Sequence, residues 1–181
     1  AIVSVVIGED YEWTWDRVCR NSWVAYAERI GADVIVLKDR IDPADVDRSP
    51  AWQKLLIPEL PWAQRYERLI WLDSDIVIMP DAPDILEFSG PADRVSLCVD
   101  AGRMSPVEGQ IFLESVLKVR LPPDCAETAW MLATRERYLS NQAQPHDVQF
   151  NTGVMVLSPA HHAALLRDVY ACPQASKLFE Q

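Results

Sequence analysis

The stretch RLIWLDSDIVIMP, residues 68–80, decides how the fold is interpreted, because it sets two aspartates between two apolar runs. We predict strands at residues 68–72 and 76–79, since such runs are typical of strands buried on both faces. Alternate residues of a regular strand share a face, so Asp73 and Asp75 are expected to point at one site. That site would lie at the carboxyl end of a sheet strand, where α/β sheets bind ligands.

The spacing of the two aspartates also predicts a chemistry. Two carboxylates buried this close together are costly unless a cation joins them. Their hard oxygens suit Mg²⁺ or Mn²⁺, and such an ion would also neutralise a diphosphate. Asp73 and Asp75 are therefore the predicted metal ligands. The alternative is that DSD is an ordinary turn, since Asp and Ser are common turn residues.

The rest of the chain alternates strands and helices. Apolar residues 2–7, an amphipathic helix over 15–30 that Gly31 ends, and a short strand at 34–37 form a βαβ unit. The acidic segment 38–50 is predicted to be a solvated loop. Further strands are predicted at 95–99 and 150–157, and further helices at 52–60, 83–88, 108–118, 126–139 and 159–170. This order indicates an α/β domain with a Rossmann-like mixed sheet flanked by helices.

Composition excludes several classes of protein. The chain has 181 residues, 49% of them hydrophobic and 24% charged, which fits a single globular domain over residues 1–181. Its net charge of −10 argues against binding to nucleic acid or to anionic lipid. None of its six glycines has the spacing of a P-loop or of the dinucleotide-binding fingerprint. A bound nucleotide would have to be held in some other way.

The cysteines and the N-terminus predict the compartment. The four cysteines form no CxxC pair, so we expect buried thiols in a reducing environment. The opening AIVSVVIGED lacks the charged region of a signal peptide, and no apolar stretch is as long as a membrane span. The prediction is a cytoplasmic protein without a transmembrane segment, and a homodimer is left open.

Two further segments contain candidate site residues. In FNTGVMVLSP, residues 150–159, Asn151 offers amide hydrogen bonds and Gly153 would permit close approach of a ligand. In GEDYEW, residues 8–13, Tyr11 stands between the first strand and the first helix, where a nucleotide base could stack. The alternatives are an ordinary start of a strand and an aromatic residue that flanks the core.

Three segments together resemble a known family. VVIGEDYEW, WQKLLIPELPWAQRYERLIWLDSDIVIM and FNTGVMVLSP occur in the order found in metal-dependent nucleotide-sugar glycosyltransferases with the A-type fold. The sequence is most similar to glycosyltransferase family 8, which includes glycogenin and bacterial lipopolysaccharide glycosyltransferases. The resemblance implies the nucleotide-diphospho-sugar transferase fold. It also implies transfer of a hexose from a UDP-sugar to a hydroxyl of a glycan, protein or small-molecule acceptor, with Mn²⁺ or Mg²⁺ and with retention of anomeric configuration.

The resemblance implies roles for individual residues. Asp73 and Asp75 would coordinate the metal on the diphosphate, and Ser74 would contact the ribose. The other residues implied to bind the donor are Gly8, Asp10 and Tyr11 at the uridine, Lys54 at the sugar or phosphate, and Gly153 at the donor sugar. Asn151 is implied to hold the donor sugar near the acceptor, together with Gly153, and Glu180 and Gln181 are implied to lie near the reacting carbon. The implied catalytic residues are Asp73, Asp75, Asn151, Glu180 and Gln181.

The sequence also departs from the family. The family's third metal ligand is usually a downstream His, and His146, His161 and His162 do not stand in that context. Glu9 precedes Asp10 where the family has Asn-Asp or Asp-Asp. We therefore expect a chain that lacks a C-terminal portion, with a nucleotide-binding part over about 1–100 and an acceptor-side part over about 101–181.

Other functions remain open at this point. DSDIV also fits the opening motif of haloacid-dehalogenase-type phosphatases, in which the first Asp is a nucleophile, but that motif usually follows a domain's first strand and here two strands precede it. A sugar-nucleotide pyrophosphorylase would need a glycine-rich, basic segment in place of GEDYEW. The third alternative is a module that binds a sugar nucleotide without catalysis.

Overall fold

The computed structural model describes residues 1–99, 139, 144–145, 148 and 150–172. The strands are β1 (Ile2–Val5), β2 (Val34–Leu37), β3 (Leu69–Leu72), β4 (Ser96–Val99) and β5 (Phe150–Leu157). The helices are α1 (Glu9–Thr14), α2 (Arg20–Ile30), α3 (Ile85–Phe88) and α4 (Pro159–Ala171), with a π-helical turn at Trp15–Cys19 and 3₁₀ segments at Pro50–Glu59 and Ala63–Arg65. The helices predicted at 108–118 and 126–139 fall on residues outside the described ones, Leu139 excepted.

The strands form one mixed sheet in the order β2-β1-β3-β5-β4. β1 pairs in parallel with β2 and with β3, whereas β5 runs antiparallel to β3. The carboxyl ends of β1 and β3 and the amino end of β5 therefore meet at the same edge of the sheet. In the part of the chain that the structure describes, a five-stranded mixed sheet flanked by helices confirms the predicted α/β class.

The chain divides into two compact units. One contains Ala1–Cys98 and a segment that begins at Thr152, and the other contains Val99–Asn151. Nearly all of the elements described above belong to the first unit.

Side chains alternate between the two faces of the sheet and build a core on each. The face that packs on α2 and the π-helical turn presents Ile2, Ile70, Leu72 and Val156. The opposite face packs on the 3₁₀ segments and presents Val3, Leu69, Trp71, Met155 and Leu157. Trp15, Trp23 and Trp71 contribute to these cores and are all buried.

The prediction of a strand at residues 76–79 is wrong. This segment crosses α2, and side chains of the helix satisfy its backbone: the Trp23 indole donates to the Ile76 carbonyl at 2.7 Å, and the Ile78 amide donates to Ser22 Oγ at 3.1 Å. Ile76 and Ile78 pack against the core on the α2 side. The alternation of apolar residues in this segment therefore arises from packing on a helix and not from pairing in a sheet.

The first helix begins earlier than predicted. Helical structure starts at Glu9 rather than at residue 15, so most of GEDYEW forms a helix and not a loop. Gly8 precedes it with φ 105°, a backbone conformation that favours glycine. Acidic residues in the first turn, Glu9 among them, suit the positive end of a helix.

Two expectations about burial are also wrong in part. In the predicted solvated loop, Asp39 and Asp47 are exposed, but the Asp45 side chain is largely buried and pairs with Arg48. Of the three described cysteines, Cys19 is buried, whereas Cys98 and Cys172 are exposed. Over residues 1–99 and 150–172, the structure contains no helix with both the length and the hydrophobicity to cross a membrane.

Candidate functional site

A cleft lies at the sheet edge where β1 and β3 end. Its volume is about 170 Å³. Its lining residues are Val5, Ile7, Tyr11, Ser49, Pro50, Ala51, Trp71, Asp73, Ser74 and Asp75. Pockets for whole small ligands measure about 300–1,000 Å³, so this cleft has room for one part of a nucleotide-sized molecule.

The DSD segment forms a turn directly after β3. The Asp73 amide donates to the Gly153 carbonyl at 2.8 Å, which extends the pairing of β3 with β5, and the Ile76 amide donates to the Asp73 carbonyl at 3.1 Å. The reasoning that placed Asp73 and Asp75 on one face of a regular strand is therefore wrong. The turn nevertheless brings both residues, with Ser74, to the lining of the same cleft.

The two carboxylates have different surroundings. Asp73 is half-buried, and the Trp71 indole N–H donates to its Oδ1 at 3.0 Å. Asp75 is exposed. Burial raises the pKa of the Cys19 thiol, and the nearby Asp75 carboxylate raises it further. The Asp75 carboxylate therefore has an electrostatic effect on Cys19, which lies in the core.

Tyr11 is the exposed aromatic side chain of the cleft. It lies on α1 with 62% of its surface exposed and forms part of the lining. Gly8 and Asp10, predicted to bind the same ligand, are exposed beside it but do not line the cleft. α1 thus presents a ring on which a planar group could stack.

Lys54 is a buried cation behind the cleft. Only 2% of its surface is exposed, and its Nζ lies 2.9 Å from Thr152 Oγ1 and 5.6 Å from the centre of the Trp71 ring. It does not line the cleft, whereas Trp71 does. The implied contact of Lys54 with sugar or phosphate stays a prediction.

The remaining predicted residues are less closely tied to the cleft. Gly153 is buried within β5, and its carbonyl accepts the Asp73 amide. Asn151 is half-buried near the start of the same strand. Glu180, Gln181 and His146 lie outside the described residues.

The described part of the chain supplies no third metal ligand beside the aspartates. Over residues 1–99 and 150–172, no three His, Cys, Asp or Glu side chains are grouped so that they could hold a metal ion. His161 is exposed, and His162 is buried on α4, where its Nδ1 accepts the Ser158 amide at 2.9 Å. Neither histidine lines the cleft.

One wall of the cleft consists of residues that the sequence analysis does not predict as part of the site. Ser49, Pro50 and Ala51 line it at the start of the first 3₁₀ segment, where Ser49 Oγ accepts the Ala51 amide at 3.2 Å. A Ser followed by Pro is a known signal for the start of a helix. The sequence pattern predicts a loop up to residue 50, because the apolar run begins only at Trp52.

Comparison with known proteins gives one fold-level likeness. No protein-family model and no curated protein matches the chain. The chain is similar in structure to the apo structure of the bifunctional glycosyltransferase WbbM, with a TM-score of 0.52 and 16% sequence identity. The match covers 94% of this chain and 34% of that one, so the chain corresponds to about a third of the WbbM structure. At this identity the likeness concerns the fold, and it is consistent with the A-type fold predicted above.

Proposed function

We propose that the chain is a glycosyltransferase whose cleft binds a nucleotide sugar, with a UDP-sugar as the first candidate donor. The observation that carries the proposal is the convergence of Tyr11, Asp73, Ser74 and Asp75 on one cleft at the carboxyl ends of parallel strands. The solved structure with a similar fold is named a bifunctional glycosyltransferase, which supports the same class of reaction.

The donor atoms at the cleft fit a hard divalent cation. Mg²⁺ is commonly bound in proteins by one or two carboxylates together with substrate phosphates and water, and Asp73 and Asp75 supply such a pair. We propose that these two residues hold Mn²⁺ or Mg²⁺. When bound, the ion would stabilise the negative charge that develops on the departing diphosphate.

The proposed reaction exchanges one bond at the anomeric carbon for another. The bond from that carbon to the diphosphate oxygen breaks with its electron pair, and a bond to the acceptor oxygen forms. The proton of the acceptor hydroxyl passes to the departing diphosphate oxygen, and the nucleoside diphosphate leaves. We propose that the products are the glycosylated acceptor with retained anomeric configuration and a free nucleoside diphosphate.

The chain's own residues have three tasks in this scheme. The Trp71 indole orients the Asp73 carboxylate through the hydrogen bond to Oδ1. The Tyr11 ring offers a stacking surface for the base of the nucleotide. The buried Lys54 ammonium, close to Trp71, adds positive potential behind a site that must accept a diphosphate.

A donor screen tests the proposal. Purified protein would be incubated with UDP-, GDP- and ADP-sugars, with Mn²⁺ or with a chelator, and the release of nucleoside diphosphate and of free sugar would be followed by NMR. We expect metal-dependent turnover of one donor class, and the anomeric configuration of the product would test retention. Release of inorganic phosphate from simple phosphomonoesters instead would favour the phosphatase alternative. Tight nucleotide binding with no turnover would favour a binding module.

A further inference from the structure

A buried polar cluster ties the acidic loop before the first 3₁₀ segment to α4. The Tyr170 hydroxyl donates to Asp45 Oδ2 at 2.6 Å and lies 3.2 Å from Asp42 Oδ2. The Gln53 amide approaches the same hydroxyl oxygen at 3.4 Å. One hydroxyl on α4 thus meets two carboxylates that belong to a loop more than a hundred residues earlier in the chain.

Arg48 closes the cluster from the other side. Its Nε donates to Asp45 Oδ2 at 3.0 Å, and its Nη1 donates to the Tyr170 backbone carbonyl at 2.8 Å. The guanidinium also stacks over the Tyr170 ring at 4.0 Å and over the Trp52 ring at 5.1 Å. The loop is therefore held by ionic, hydrogen-bonding and aromatic contacts at one place.

Tyr170 and Asp45 are largely buried, and the pKa of each is shifted in the direction that preserves their hydrogen bond. Tyr170 is 8% exposed, and the Asp45 side chain is 9% exposed. Burial and the bond to Asp45 raise the pKa of Tyr170 far above its usual value. Burial alone would raise the pKa of Asp45, but the hydrogen bonds from Tyr170 and Arg48 outweigh it and lower the pKa. Tyr170 thus stays a donor and Asp45 stays a charged acceptor at neutral pH.

The cluster leads directly into one wall of the cleft. Arg48 is followed by Ser49, Pro50 and Ala51, which line the cleft at the start of the 3₁₀ segment. The Trp52 amide donates to the Ser49 carbonyl at 3.1 Å, so the wall is also bonded to the residue that stacks on Arg48. Residues 49–51 therefore connect the cluster directly to the cleft that they line.

We propose that Tyr170 is a positioning residue. Its hydroxyl holds residues 42–48 of the acidic loop, named here the 42–48 turn, so that residues 49–51 form the wall of the cleft before any ligand binds. A wall ordered in advance lowers the entropy cost of binding, because less of the chain must be fixed when the ligand arrives. The part of this proposal that concerns nucleotide affinity rests on the proposed function, whereas the ordering of the wall does not.

Two variants separate the hydroxyl from general packing. Tyr170→Phe keeps the ring that packs with Trp52 and Leu55 and removes only the hydroxyl. The matched control is Arg167→Gln, which breaks an ion pair of 3.1 Å between α4 and Glu59 of the same 3₁₀ segment without touching the 42–48 turn. Asp45→Asn provides a second way to weaken the cluster while the Tyr170 hydroxyl is kept.

Hydrogen–deuterium exchange tests the ordering of the wall without any ligand. We expect the Ala51 and Trp52 amides to exchange about tenfold faster in Tyr170→Phe and in Asp45→Asn, with β1 and β3 amides and the Arg167→Gln protein unchanged. Exchange at Ala51 and Trp52 that equals wild type in both cluster variants would overturn the proposal. Acceleration spread evenly over the sheet would overturn it too, since that pattern reports global destabilisation.

Nucleotide titration tests the effect on the cleft. With UDP and Mn²⁺ as the probe, we expect Tyr170→Phe to bind about tenfold more weakly than wild type and Arg167→Gln to bind equally well. In a turnover assay the KM for donor should rise while kcat stays near wild type. Faster exchange at Ala51 together with unchanged UDP affinity would overturn the positioning role. If wild type itself failed to bind any nucleotide, the proposed function would fail, and the exchange data alone would decide the ordering of the wall.

Discussion

Two pairs of aspartates, both in short acidic segments, have opposite surroundings. Asp42 and Asp45 meet the Tyr170 hydroxyl, and Asp45 is also paired with Arg48. Asp73 and Asp75 line an open cleft, where Asp73 is oriented by a neutral indole and Asp75 is exposed. The first pair is bound to side chains of the protein, and the second pair faces a cleft.

The difference suggests how to separate structural from functional acidity. A carboxylate that has an arginine and a tyrosine as partners needs nothing further and contributes mainly to stability. Carboxylates that line a cleft are able to share a ligand or a cation with it. Substitutions in the two pairs should therefore differ in their largest effect, which falls on stability and the ordering of the cleft wall for the first pair and on metal-dependent turnover for the second.

The largest expected effect is on turnover. Asp73→Asn should lower metal-dependent turnover of the donor by about a thousandfold, because the substitution removes a charge from the proposed ion site. The free energy of unfolding should stay close to wild type. Asp39→Asn, at an exposed position in the acidic loop, is the control for loss of one negative charge. Undiminished turnover by Asp73→Asn would remove this residue from the site.

The second expected effect is on stability and concerns the pair formed by Asp42 and Asp45. Asp45→Asn should lower the free energy of unfolding by about 2 kcal/mol, since it weakens hydrogen bonds to a charged, largely buried acceptor. Urea denaturation measures this change, again with Asp39→Asn as control. A midpoint equal to that of wild type would mean that the cluster does not stabilise the fold.

A smaller effect is expected from the aromatic side chain of the cleft. Tyr11→Ala should raise the KM for donor about tenfold with little change in kcat, because base stacking is worth about 1–3 kcal/mol. Trp13→Ala is the matched control, since Trp13 is equally exposed, at 61%, on the same helix but does not line the cleft. Equal KM values for the two variants would contradict a stacking role for Tyr11.

The smallest expected effect is a dependence of stability on pH. The pKa of Asp45 is lower in the folded protein than in the unfolded chain. Its contribution to stability is therefore present above about pH 4, the usual range of an unfolded Asp, and is lost as the pH falls through the folded value. Urea midpoints measured from about pH 7 to about pH 3 should fall more steeply for wild type than for Asp45→Asn. Parallel curves would contradict this assignment.

The sequence predicts those parts of the fold that depend on local pattern. Hydrophobic periodicity and end signals predict β3, which precedes the DSD turn, and its partner β5. They also predict the helix that Gly31 ends. Periodicity could not tell residues 76–79 from a strand, because packing on α2 buries the same alternate positions. The side chains of Trp23 and Ser22 that satisfy this segment are distant in sequence.

The site was predictable only where its residues follow a strand or a helix signal. Asp73, Asp75 and Tyr11 were found because each stands close to the end of an apolar run. The Tyr170 cluster is not predictable in this way, because it depends on contacts between distant parts of the chain. No local pattern in the sequence specifies such contacts.

The most direct test of the central claim is a calorimetric titration of UDP with Mn²⁺ into wild type and into the Asp73→Asn, Asp75→Asn double variant. The claim is that these two residues bind a metal-bound nucleotide at the end of β3. We predict that the double variant binds at least about a hundredfold more weakly while its thermal midpoint stays within about 2 °C of wild type. Equal affinity of the two proteins for UDP in the presence of Mn²⁺ would contradict the account.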